Sequence, residues 1–185
     1  MSRVFNRRRG QKGFTLIELL IVVAIIGIIA AILIPNLLDA LQKAKQKRTM
    51  GDIRNIGTAW FSWFQDQVSA AAAGSASTQT YDWSNLSSSL SANQLLSTLY
   101  ISNTMFYIQK IPPKDGWGGN YDYAWSGDLA DTQIMGIRSL ARDKAVGPTT
   151  APYPMGPFIA TRYEEDIVWA DGFFVRYPAG AQVIN

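Results

Sequence analysis

The run from Phe14 to Ile34 holds one charged side chain, Glu18, in an otherwise apolar stretch. At ~1.5 Å rise per residue, a helix over this run is roughly 30 Å long, about one bilayer hydrocarbon thickness. Placing an ionised carboxylate in lipid costs at least ~2.5 kcal/mol, so an acid inside such a run is a functional signal. Its bland reading is a carboxylate that snorkels to the headgroups from near the helix end.

The segment before this run is short, polar and basic. Arg3, Arg7, Arg8, Arg9 and Lys12 lie there with no acid among them. The whole chain carries 17 basic and 14 acidic residues, a formal net charge of +3. Without those five, 12 basic residues face the 14 acids, so the remainder is about −2. The basic balance therefore belongs to the first thirteen residues and does not point to nucleic acid. A secretory signal would be cut after its apolar region at a small-residue site; here the helical pattern continues well past Pro35 without one.

From Asn36 the pattern becomes amphipathic. Leu37, Leu41 and Ala44, then Ile53, Ile56, Trp60, Phe64 and Val68, recur at spacings of three and four. This predicts one long helix from about Phe14 to about Ala71, kinked or loosened at Gly27 and Pro35. Lys43, Lys45, Lys47 and Arg48 form a basic cluster on it, a solvated face or a contact for headgroups or acidic neighbours. Trp60, Phe61, Trp63 and Phe64 read as core packing against a sheet, with a stacking platform as the other reading.

A Ser-, Ala- and Thr-rich connection follows over Ser69–Ser91, then a short helix around Asn93–Tyr100. Strand-like runs occupy Met105–Ile111, Asn120–Ser126, Gln133–Leu140 and Ile167–Tyr177. The order predicts an α+β fold, a long helix whose second half packs on a small antiparallel sheet. The length of 185 residues suits one modest domain, 36–185, after an anchor, 14–35, and a leader, 1–13. The sequence holds no Cys and no His, which removes disulfides, Cys or His nucleophile–base pairs and the commonest zinc ligands. No G-x-S-x-G, P-loop or paired metal motif is present, and no internal repeat.

The string Lys12-Gly13-Phe14-Thr15-Leu16-Ile17-Glu18-Leu19-Leu20, set between a basic leader and an apolar helix, resembles the class III signal of type IV pilins and type II secretion pseudopilins. The resemblance covers the first thirty-five residues. It implies that a prepilin peptidase cuts between Gly13 and Phe14 on the cytoplasmic face and methylates the new amino group of Phe14. It implies a single-pass bacterial inner-membrane protein, its domain outside the cytoplasm. From there it is drawn into a filament by a cytoplasmic assembly ATPase, with minor pseudopilins and a membrane platform as partners. Glu18 would then pair with the methylated N-terminus of a neighbouring subunit. The leader charges agree with a cytoplasmic N-terminus.

A second stretch, Ile111 to Tyr123 (IPPKDGWGGNYDY), resembles the Pro-x-Asp-x-Trp-Gly-x-x-Tyr-x-Tyr turn of major pseudopilins; a generic Gly-rich hairpin is the alternative. The resemblance implies a turn into the first strand and a calcium ion in a later loop, with Asp143, Glu164 and Asp166 as candidate ligands. Calcium takes six to eight oxygens, and the segment between Leu140 and Ile167 is longer than the family's, with Pro148, Pro152, Pro154 and Pro157. A solvated acidic patch is the equal alternative. Lack of Cys leans toward a pseudopilin over a disulfide-closed pilin. Three functions stand: a pseudopilus subunit, a type IV pilin for adhesion, motility or DNA uptake, and a membrane-tethered enzyme or binding domain.

Overall fold

The computed structural model describes residues 13–72, 90–102, 105–125, 134–147 and 153–180. The leader charges, most of the Ser-rich connection, Pro148 and Pro152 lie outside them. The chain divides into two compact units, Met1–Ala40 and Leu41–Asn185.

In the first unit, helix α1 (Leu16–Ala72) begins. Its apolar residues there are exposed, Leu16 at 87% and Ile32 at 65%, and the helix continues through Gly27 and Pro35. Pro35 has no N–H to give the preceding turn. The Asn36 side chain reaches back to the Ile32 carbonyl at 3.3 Å, adding a donor at that weak point.

In the second unit, α1 presents Ile53, Ile56, Trp60 and Trp63 to the core, as their spacing predicts, while Leu41 and Val68 stay exposed. A five-stranded sheet packs on this face in the order β3-β4-β6-β7-β5: β3 (Tyr121–Trp125), β4 (Met135–Ser139), β5 (Gly156–Phe158), β6 (Ile167–Ala170) and β7 (Phe173–Pro178). Period-two alternation puts Tyr121, Tyr123 and Trp125 of β3 inward, with Met135 and Ile137 of β4 beside them. The Trp60 and Trp125 rings stack at 5.5 Å between centroids, and Trp63 meets Trp125 edge-on at 6.1 Å, so Trp60 and Trp63 are core with Phe64 packed against them, while Phe61 stays exposed. Gly57 makes the helix–sheet contact possible. A Cβ there would lie 2.6 Å from the Trp169 indole, so only glycine lets that ring rest on the helix backbone.

Helix α2 (Ala92–Leu99) starts at a capping box of Ser91 and Gln94 and buries Leu95 and Leu99. It leads into β1 (Tyr100–Ser102), which pairs with β2 (Met105–Phe106) in a separate two-stranded sheet.

Three expectations are corrected. The strand over Met105–Ile111 shrinks to two residues, because Tyr107 turns away: its N–H goes to Leu99 and its hydroxyl to Asp66 on α1 at 2.7 Å. Pro112 and Pro113 then remove two further donors. The run Ile167–Tyr177 is two strands, folded at Asp171-Gly172 with φ of 48° and 103°. The sheet is mixed, because β5 joins β7 in parallel.

Asp171 also closes the far end of β4. Its carboxylate accepts from the N–H groups of Ile134 and Met135 at 2.9–3.2 Å. Asp171→Ala should cost about 1–2 kcal/mol by stranding both donors, read as a thermal midpoint lower by about 2–6 °C.

Candidate functional site

Gly13, Phe14 and Thr15 precede the helix in non-helical backbone, so the peptide bond between Gly13 and Phe14 lies outside the hydrogen-bonded ladder. Among the described residues a Cβ at Gly13 would meet nothing within 4 Å, and Phe14 is 84% exposed. The helix opens with a reciprocal cap. Thr15 N and Oγ1 donate to Glu18 Oε2 at 2.9 and 2.7 Å, and Glu18 N donates back to Thr15 Oγ1 at 3.3 Å. This is a capping box, with the carboxylate at the positive end of the helix macrodipole. Both Thr15 donors reach Oε2, and neither engages Oε1. The Thr-x-x-Glu spacing before an apolar run is a sequence signature of such a cap, so Thr15 was legible as Glu18's local partner.

The second candidate, the Pro-Pro-Lys-Asp-Gly-Trp-Gly turn, does lead into the first strand of the main sheet. It is built around buried Asp115. One carboxylate oxygen accepts from Trp117 N and Gly119 N at 2.9 and 2.7 Å, and the other accepts from Ser139 Oγ at 2.7 Å. The turn thus shaped grips α1. Gly116 N donates to Thr49 Oγ1 at 2.9 Å, Trp117 Nε1 donates to Gln42 Oε1 at 2.7 Å, and Thr49 Oγ1 donates to Lys45 O. Beside it Tyr121 donates to Asp52 at 3.1 Å, and burial together with that carboxylate pushes its phenol pKa well up. The motif is therefore a clamp on the helix, specific beyond a generic hairpin.

The third candidate is the acidic loop. Asp166 is buried, and its Oδ2 accepts from the Tyr153 hydroxyl at 2.5 Å and from Gly147 N at 3.0 Å. Burial raises its pKa, the two donors and Arg138 pull it back, and Asp143 adds repulsion. Glu164 is paired with Arg142, and Asp143 accepts from Ala145 N in its own turn. Among the described residues no group of three or more acidic side chains is poised for a metal. Among the described residues, Asp166 Oδ1 is buried without a donor. Calcium asks for six to eight oxygens, and a guanidinium one hydroxyl away opposes a dication. The arrangement does not fit the ion that the resemblance implies.

The model of the prokaryotic N-terminal methylation motif matches residues 8–34. The type II secretion system core protein G of Vibrio cholerae is 31% identical over 141 residues, 70% of this chain and 82% of that one. The chain belongs to this pilin-like family. The match reaches far past α1, so the relationship includes the sheet domain as well as the anchor. The type IV major pilin protein PilA of Myxococcus xanthus is 48% identical over 63 residues, 34% of this chain and 28% of that pilin. The type IV wide pilus major component PilA4 of Thermus thermophilus is 72% identical over 36 residues, 20% and 28% of the two chains. No solved structure matches. Among the described residues of this pilin-like chain, α1 alone is long and apolar enough to cross a membrane, with a mean hydropathy of 3.2 over its best window.

Proposed function

We propose that the chain is a structural subunit of a pilus-like filament, closest in role to the major pseudopilin of a type II secretion system. One observation carries this reading: an exposed apolar run, Phe14 to Ile34, whose only acid, Glu18, sits capped in the first turn of α1. Such a surface is stable against lipid or against copies of itself, and packing those copies together requires that each Glu18 be neutralised. After cleavage behind Gly13, the methylated ammonium of Phe14 on a neighbouring subunit approaches Oε1, the oxygen the cap leaves open. Before assembly the helix anchors the subunit in the inner membrane, its domain on the outer side. The prepilin peptidase, minor pseudopilins and the assembly platform are the partners.

The work is polymerisation, driven from the cytoplasm, and no residue is assigned a catalytic role. A second reading is a pilus for adhesion or motility; the matches to type IV pilins cover under a third of each of those relatives and do not favour it, and a coding sequence set among pilus genes would decide for it. The slightly acidic mature chain argues against a DNA-uptake groove. Mass spectrometry of native protein tests the core of the proposal. The expected N-terminus is methylated Phe14; a chain still carrying residues 1–13 would overturn the reading.

A further inference from the structure

We propose that the Arg138–Tyr153 pair does in this chain what the resemblance gives to a calcium ion: it compensates the buried Asp166 carboxylate and closes the 140–166 segment without metal. Arg138 stands on β4 and is held from the side by Asp122 of β3, at 2.8 and 3.2 Å. Its Nη1 donates to the Tyr153 hydroxyl at 3.0 Å, and that hydroxyl donates on to Asp166 Oδ2. A permanently charged group thus reaches the carboxylate through one polarised hydroxyl.

Three points of the segment meet at this carboxylate. Gly147 gives its N–H, and a Cβ at Gly147 would lie 3.2 Å from the Asp166 carboxyl, so the backbone approaches as closely as glycine allows. Tyr153 gives its hydroxyl, and Asp166 itself directly precedes β6, which begins at Ile167. The flanking acids have guanidinium partners of their own. Glu164 pairs with Arg142, and buried Glu165 with Arg176 at 3.1 Å and Arg162 at 3.4 Å. The segment is closed by arginine–acid pairs, where a metal site would gather the acids together. A dication at Asp166 Oδ1 would meet the Arg138 charge across one hydroxyl. The proposal stands apart from the filament reading, since it concerns only how this loop is held.

The test uses the full chain in detergent micelles, with thermal unfolding and protease cleavage within the 140–166 segment followed in millimolar calcium chloride and in chelator. The wild-type midpoint and cleavage rate should be the same in both. Tyr153→Phe should be cut there about tenfold faster, the factor a charge-assisted hydrogen bond is worth. A wild-type chain that calcium stabilises or protects would overturn the proposal, with Asp166 Oδ1 then a metal ligand. So would a Tyr153→Phe chain as resistant as wild type.

Discussion

Glu18→Ala should leave cleavage behind Gly13 intact and abolish filament assembly. The cut lies in non-helical backbone upstream of the helix, and the substitution touches neither Gly13 nor Phe14. Loss of the Thr15–Glu18 box frays one turn, a cost of about 0.5–2 kcal/mol that a long helix absorbs. Assembly loses more. Each neighbouring ammonium would be buried without its counter-charge, at about 3–5 kcal/mol per subunit, or roughly a hundredfold or more per contact. Filament yield in a sheared fraction, against mature subunit in the membrane, reads the difference.

Glu18→Gln separates the two roles of the side chain. Gln serves a capping box as well as Glu does, but carries no charge. If pairing is the role, Glu18→Gln fails to assemble as Glu18→Ala does. Normal filaments from Glu18→Gln would reduce Glu18 to a helix cap, and normal filaments from Glu18→Ala would remove it from assembly altogether.

What the sequence made legible follows from how far its signals reach. Helix α1 was readable because both its signals, an apolar run and a three-four spacing, are local. Strand β3 was readable because Tyr121, Tyr123 and Trp125 alternate with Asp122 and Ala124. The β6–β7 fold was misread as one strand although Asp-Gly, the strongest short hairpin signal, lay inside the run. The apolar stretch around it masked the turn. Strand β5 had no local signal at all. It is three residues long, contains Pro157 on a sheet edge, and pairs in parallel with a strand that comes after β6 in the chain. The site divides the same way. Thr15 and Glu18 are three residues apart and could be paired on paper. Arg138, Tyr153 and Asp166 lie 15 and 13 residues apart, and only the sheet register brings them together. The acids were visible, but the arginines that claim them were not. That is why a metal seemed as good an answer as solvent.

Gly116→Ala should be the most damaging single methyl added to the domain. The turn presses its backbone on α1 so closely that a Cβ at Gly116 would lie 2.4 Å from the Lys45 carbonyl oxygen and 2.9 Å from its carbon. Both are backbone atoms of a helix, which cannot swing aside as a side-chain tip does. Relief requires the turn to lift, and lifting breaks the bonds from Gly116 N to Thr49 and from Trp117 Nε1 to Gln42. Overpacking costs about 1–3 kcal/mol and each bond about 1 kcal/mol more. A total of about 3–5 kcal/mol lowers the thermal midpoint by about 10 °C in a domain of this size. Gly118 provides the contrast. It lies two residues on in the same turn, with φ of 80° and open space around its Cα. Gly118→Ala should cost only the left-handed penalty of about 1–2 kcal/mol, while the grip on α1 persists. If Gly116→Ala melts no lower than Gly118→Ala, the turn does not clamp the helix, and the family's Trp-Gly signature in this chain marks a hairpin and nothing more.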